Sequence, residues 1–241
     1  MGLRPSADAD RRSHDFIVEA LAAARPGDAV LSEEGEDDVA ARLGARRVWI
    51  VDPLDGTREY GEPGRHDWAV HIALWEDGEL VAGAVALPAD GRVLSTAEPP
   101  PPRPCDPRRI RIVVSRSRPP DFVASLVAAF GGGAEVVAMG SAGAKAAAVI
   151  TGAADVYVHA GGQYEWDSAA PVAVARAGGL HCSRLDGSPL RYNQADPYLP
   201  DLVICRTDLS PIVLSPIVLS PIGRRESSPP PPWSSSPRPP G

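Results

Sequence analysis

The sequence predicts an α+β N-terminal half joined to an α/β C-terminal half. Three observations carry this: an antiparallel meander with Asp-Gly turns before residue 98, a proline run at Glu98-Pro99-Pro100-Pro101-Pro102-Arg103-Pro104, and strand and helix patterns that alternate beyond it. The proline run suits neither a sheet interior nor a helix. A stiff connector over 99–107 therefore separates a first domain, 1–98, from a second, 108–206. With 241 residues, 44% of them hydrophobic, the chain is long enough to bury real cores.

In chain order, Ile17, Ala20, Leu21 and Ala24 share one face of a helix over 10–24, which Arg25-Pro26-Gly27 ends. Asp10, at the start of that helix, reads as an N-cap. A short strand over 29–31 delivers Glu33 and Glu34 to a loop and lies beside a second strand over 48–51. The run Val48-Trp49-Ile50-Val51 is apolar and β-branched, as in a buried strand. It stops at Asp52, Pro53 turns the chain, and Asp55 follows three residues later. If a helix begins there, the N–H groups of Gly56 and Thr57 point to the same spot as the two carboxylates. Strands over 67–75, 80–87 and 92–96 then turn at Asp77-Gly78 and Asp90-Gly91. Trp49, Trp68, Trp75 and His71 read as core of that sheet.

Beyond the connector come strand 110–114, helix 121–130, strand 136–138, helix 142–150, strand 156–159 and helix 168–177, a mixed sheet with helices on its faces. Segments 184–190 and 202–206 supply its last strands. Asp167 precedes the last helix as an N-cap, Pro171 falls in the first turn, and Gly178-Gly179 ends it. Ser210-Pro211-Ile212-Val213-Leu214 repeats over 215–219 and restarts at Ser220 before a Pro/Ser/Arg stretch. Five-residue repetition with proline makes no regular core structure, so 207–241 is expected to be disordered.

A net charge of −7 gives the surface no general reason to bind nucleic acid or an anionic membrane. A polyanionic substrate is still accessible where bound cations reverse the local field. Cys105, Cys182 and Cys205 are odd in number and lack C-x-x-C spacing, which argues against a disulfide framework or a zinc site and fits a reducing cytoplasm. Neither a signal peptide nor a membrane span is expected, since no apolar run approaches about 18 residues.

Two acids flanking one tight turn, with helix-start amides beside them, suit a phosphate ester held by divalent metal. Carboxylates attract Mg²⁺, a hard, oxygen-seeking ion, and the amides hold phosphate oxygens. An isolated D-x-x-D-G reads as a turn and a cap. The full Asp52-Pro53-Leu54-Asp55-Gly56-Thr57 after Val48-Trp49-Ile50-Val51 is far more specific.

That motif resembles the signature of the Mg²⁺-dependent, lithium-sensitive phosphatase family that includes inositol monophosphatases, fructose-1,6-bisphosphatases and 3′(2′),5′-bisphosphate nucleotidases. Leu31-Ser32-Glu33-Glu34 is similar to the family's upstream acidic motif, Gly140-Ser141-Ala142-Gly143-Ala144-Lys145 to its second-domain loop, and Glu165-Trp166-Asp167-Ser168-Ala169-Ala170-Pro171 to its W-D motif. Asp67-Trp68-Ala69-Val70-His71-Ile72-Ala73-Leu74 and Arg184-Leu185-Asp186-Gly187-Ser188-Pro189-Leu190-Arg191-Tyr192-Asn193 resemble its bacterial bisphosphate nucleotidase branch, the CysQ type. The resemblance spans about residues 7–206.

It implies a two-domain layered αβαβα sandwich. One Mg²⁺ goes to Glu33, Asp52 and the Leu54 carbonyl, another to Asp52, Asp55 and Asp167, and a third, weaker ion has a place near Glu33. Glu34 is the alternative to Glu33. Thr57, paired with Asp10, orients and deprotonates a metal-activated water, and Asp8 is the other acid of that segment. Gly56 and Thr57 hold the reacting phosphate, and Lys145, with His159 and Arg118, reaches a second one. The implied reaction is the cytoplasmic hydrolysis of 3′-phosphoadenosine 5′-phosphate to AMP and phosphate, a clearing step for sulfate assimilation. Inositol-1-phosphate and fructose-1,6-bisphosphate are the alternative substrates, and a homodimer is the expected assembly beyond the monomer. Family members carry a helix ahead of the Asp10 segment, for which a chain starting at Met1 leaves little room. A truncated pseudo-enzyme that binds metal without turnover is therefore the reading from another class.

Overall fold

The computed structural model describes residues 5–215 apart from 102 and 105. Its first sheet runs in the order β1 (Ala29–Ser32), β2 (Arg47–Asp55), β3 (Ala69–Glu76), β4 (Glu79–Leu87) and β5 (Arg92–Ser95). Strands β1 and β2 are parallel, with Leu31 beside Ile50, and the rest form the expected antiparallel meander. The second sheet has the order β7 (Ala134–Met139), β6 (Ile110–Ser115), β8 (Val156–Tyr164), β10 (Tyr198–Cys205) and β9 (His181–Ser183). It is mixed: β7, β6 and β8 are parallel, and β10 is antiparallel to both its neighbours.

Period-2 alternation on both sheets creates the layers. In the second sheet Val113, Tyr157, Leu202 and Ile204 face a central core, while Ile112, Val114, Val156, Val158, Val203 and Cys205 face the opposite side. Helices α5 (Ala142–Ile150) and α6 (Glu165–Ala177) fill the central layer and touch both sheets. Val48 and Ile50 of β2 face this layer too, whereas Trp49 points to α1 (Pro5–Ala24), beside Val18 and Leu21. On the far side of the second sheet, Phe122 and Leu126 of the α4 region (Val123–Ala129) meet Leu209 and Val213, the latter from α7 (Ser210–Val213). The result is the layered αβαβα sandwich, with short helices α2 (Val39–Gly44) and α3 (Thr57–Tyr60) in the loops.

Several local expectations change. Helix α1 starts at Pro5, so Asp10 lies within it rather than capping it. Strand β2 runs on to Asp55, and Pro53, which has no N–H for a ladder, sits where the pairing with β3 shifts between Asp52 and Asp55. Helix α6 begins at Glu165, which makes Asp167 its third residue and puts Pro171 past the first turn. The strand expected over 184–190 is instead β9; residues 184–188 make a turn closed by Arg184 N–H to the Ser188 carbonyl. Nor are residues 207–213 structureless. A 3-10 turn at Thr207–Leu209 and α7 carry Leu209 and Val213 into the outer core, because apolar residues outweigh the proline, which sits at the helix start where no N–H is needed. Cys105 and the expected disorder of 216–241 fall outside the described residues.

One buried cation ties loops from the two halves. Arg42, on α2, is 1% exposed. It makes paired 2.8 Å bonds to Asp37 and donates to Asn193 Oδ1 at 2.8 Å and the Gln194 carbonyl at 2.9 Å. Glu165 completes the knot by accepting the N–H groups of Asn193 and Gln194, at 2.6 and 2.8 Å. Removing one partner of such a cluster strands the others, so Arg42→Ala is expected to cost about 3–5 kcal/mol in a denaturant melt. A loss under about 1 kcal/mol would show that the knot carries no net stability.

Candidate active site

Four chain segments bring their acids to one place. β2 supplies Asp52 and Asp55, both buried, and α6 supplies Asp167 from its first turn. Carboxylate oxygens of these three residues all lie within 4.8 Å of one another. Glu33, just past β1, joins them by a hydrogen bond to Asp52. As a residue Glu33 is exposed, yet the charges of Asp167, Asp10 and Asp55 still reach its carboxyl. Asp10 closes the group from α1.

Each carboxylate is held by local chemistry. Asp52 Oδ1 accepts Leu54 N–H at 3.0 Å. Asp167 Oδ2 accepts Tyr164 N–H at 2.7 Å, reaching back across the start of its own helix. Asp55 is fixed from the other half of the chain: it accepts the Ser141 hydroxyl at 2.5 Å, Gly143 N–H at 2.6 Å and Ala142 N–H at 3.1 Å, the N-terminus of α5. A carboxylate offers about four lone-pair sites, which leaves Asp55 one for a cation. Gly56 occupies backbone that a side chain would strain. Its φ is +88°, and a Cβ there would stand 3.1 Å from Ser141 Cβ.

Burial and then crowded negative charge raise Glu33, Asp52, Asp167 and Asp10. Burial first, then the neighbouring charges of Asp167, Asp10 and Asp55, pushes Glu33 up to about 8. Burial and Asp55 push Asp167 up to about 7. Asp52 is driven well above the carboxylate range by burial, Asp55, Glu33 and Asp167. Asp10 rises to about 6 through burial and Glu34, against the hydrogen bond from Thr57. Its Oδ1 is buried with no partner among the described residues. An all-oxygen donor set that repels itself fits a hard divalent cation, and Asp52, Asp55 and Asp167 can hold a metal ion.

The Thr57 hydroxyl lies 3.2 Å from Asp10 Oδ2 and 3.0 Å from the Leu54 carbonyl, so its single proton can serve only one of them. Asp8 stays outside, exposed and paired with Arg12. Lys145 is neither open nor solvent-facing. It is 4% exposed, and its ammonium donates to the carbonyls of Gly140, at 2.9 Å, and Ser141, at 2.5 Å. His159 gives its Nε2–H to the Gly161 carbonyl at 2.7 Å, and burial pushes it down to about 4. The Arg118 guanidinium covers Gly162, where a Cβ would stand 2.5 Å from Nη1, and its charge reaches Asp167.

Sequence reasoning missed three residues. Ser141 stands in the Gly140–Lys145 loop motif, whose spacing alone gives it no role. Asp67 gathers Arg65, Arg116 at 3.0 Å and the N–H of Gly140 at 2.7 Å, pinning the loop before α5. His71, read as core, sits beside two of the acids, with Nε2 3.4 Å from Asp55 Oδ2. Its signal is register alone: it faces Asp52 across the β2–β3 ladder.

Among the described residues no helix is long and apolar enough to cross a membrane. A model of the inositol monophosphatase family matches residues 4–207. The chain is 54% identical over 217 residues to the 3′-phosphoadenosine 5′-phosphate phosphatase of Mycobacterium tuberculosis, covering 85% of this chain and 79% of the relative. It is 33% identical over 205 residues to the 3′(2′),5′-bisphosphate nucleotidase CysQ of Escherichia coli K12, covering 81% and 82%. The crystal structure of CysQ from Bacteroides thetaiotaomicron superposes with a TM-score of 0.72 at 30% identity, over 82% of this chain and 83% of that one. A family match over most of the chain, a shared fold and the gathered acids lead to one conclusion: this chain belongs to the inositol monophosphatase family.

Proposed function

We propose that the protein is a Mg²⁺-dependent phosphomonoesterase that hydrolyses 3′-phosphoadenosine 5′-phosphate to AMP and phosphate. The observation that carries the reaction class is the meeting of Asp167 with Asp52 and Asp55. The substrate follows from the 54% identity to a phosphatase named for it. Thr57 Oγ1 lies 3.2 Å from Asp10 Oδ2, so the hydroxyl and acid needed to activate water stand together, which favours an enzyme over a metal-binding pseudo-enzyme.

In this reading Glu33, Asp52 and the Leu54 carbonyl would hold one Mg²⁺, and Asp52, Asp55 and Asp167 another, with a third near Glu33. Bound there, the ions would supply charge neutralisation for the phosphoryl group and lower the pKa of water. Asp10 Oδ2 accepts the proton from the attacking water through Thr57 Oγ1, and its raised affinity for a proton near pH 6 suits a base working near neutrality. The amides of Gly56 and Thr57 orient the phosphate, and no covalent phospho-enzyme is required. For the second phosphate we assign Arg118; Lys145, buried with its ammonium on two loop carbonyls and 5.4 Å from the centre of the Tyr157 ring, supports it by charge rather than by contact. His159 we set aside from this contact. Neutral, with Nε2–H committed, it offers a phosphate dianion only the lone pair of Nδ1.

Phosphate release from 3′-phosphoadenosine 5′-phosphate, inositol-1-phosphate and fructose-1,6-bisphosphate, measured side by side, tests the reading. The nucleotide is expected to win by at least about tenfold in kcat/KM, with all release lost in chelator. A preference for inositol-1-phosphate would move the chain to another branch of the family. Chelator-resistant release would remove metal from the reaction.

A further inference from the structure

Neither the quoted motifs nor the proposed chemistry gives His71 a task, yet it is 0% exposed at the middle of the acid cluster. Its Nδ1 lies 3.1 Å from the Trp166 carbonyl. A carbonyl has no hydrogen to give, so Nδ1 carries the proton and donates it. The ring is thereby keyed to α6, one residue before Asp167. Its other edge reaches β2, with Nε2 3.4 Å from Asp55 Oδ2, while Nδ1 stands 4.0 Å from Asp52 Oδ2. One imidazole therefore touches the segments that carry all three aspartates.

Helix α5 makes room for it. A Cβ on Gly143 would overlap Nε2 and stand 2.8 Å from Cε1. Gly143 lies inside a helix, where glycine is ordinarily a cost relative to alanine. Here the imidazole occupies the space that an alanine methyl would need. The same glycine N–H holds Asp55 at 2.6 Å, so the fit between ring and helix also sets where that carboxylate rests.

We propose that His71 is a positioning residue that sets the mutual spacing of Asp52, Asp55 and Asp167 for divalent cations, with Gly143 as its steric counterpart. The proposal rests on the metal-site reading above. It acts through the carboxylates and makes no contact with substrate. Groups that orient ligands from outside typically change metal affinity by about 10–100-fold.

Calorimetric titration of the metal-free chain with Mg²⁺ tests this without any substrate. His71→Ala is expected to weaken binding by about 10–100-fold, and His71→Asn, which keeps an N–H near the place of Nδ1, to stay within about threefold of the parent. Gly143→Ala alone is expected to lower both Tm and affinity, and His71→Ser added to it to restore Tm, because the smaller side chain vacates the contested volume. Parent-like affinity in folded His71→Ala overturns the proposal. So does a Gly143→Ala protein as stable as the parent, or one that His71→Ser does not relieve; this pair decides the matter if His71→Ala does not fold. A parent chain that takes up no Mg²⁺ overturns both this proposal and the proposed function. Mg²⁺ binding without phosphate release overturns the activity alone.

Discussion

Asp52→Asn is expected to lower phosphate release from 3′-phosphoadenosine 5′-phosphate by at least about 10³-fold, while the metal-free protein stays as stable as the parent or gains stability. Groups one shell further out cost 10–100-fold, and Asp52 is placed to serve both proposed cations, so its loss should exceed that range. The stability half follows from electrostatics. Asp52 is 1% exposed, and burial together with Asp55, Glu33 and Asp167 drives its carboxyl towards the protonated state. An amide removes that repulsion and keeps an oxygen for the Leu54 N–H, now 3.0 Å from Oδ1. Steady-state release and a thermal melt in chelator read the two halves separately. A folded variant within tenfold of parent activity would take Asp52 out of the reaction.

The metal-free protein is expected to lose stability as pH rises from about 4.5 to about 8, and saturating Mg²⁺ to cancel that loss. In the unfolded chain these carboxyls ionise near their ordinary values, 3.8 for Asp and 4.5 for Glu. In the folded chain Asp10 holds its proton to about 6, Asp167 to about 7 and Glu33 to about 8. Between those limits the native state binds more protons than the unfolded one, so stability falls with rising pH and levels off above the highest value. Asp67 opposes the trend only at lower pH. Despite burial, its bonds from Arg65, Gly140 and Arg116 hold it well below the usual range, so its contribution is complete before the window opens. With solvent screening allowed for, the fall should be roughly 5 °C in Tm between about pH 5 and pH 8. Mg²⁺ replaces the protons, so its binding should release them and tighten as pH approaches 8. Melts across that range with and without Mg²⁺ provide the check. A flat metal-free profile would mean that the acids do not crowd one another.

Much of the site was legible because it is local. A β-branched strand followed by Asp-Pro-Leu-Asp-Gly-Thr commits two carboxylates and a helix start to one neighbourhood, whatever surrounds them. Sequence-local reasoning misplaced Asp10 and Asp167 as helix caps, since boundaries depend on packing that no window contains. Asp10 lies within a helix that begins at Pro5, and Asp167 bonds back to Tyr164 N–H from the third helical position. His71 stayed hidden for a stronger reason: its neighbourhood depends on strand register, and a slip of one residue would turn it to the other face of the sheet.

By itself, then, the order of residues determined the alternating layers, the acids and the turn that displays two of them, because periodicity and backbone restriction act over a few positions. Only the tertiary structure decided which of those acids share a charge. Asp55 of the first sheet rests on the N-terminus of a helix from the second half, and Asp167 arrives from another. Coulomb repulsion and burial depend on distances through space, and folding alone sets those distances.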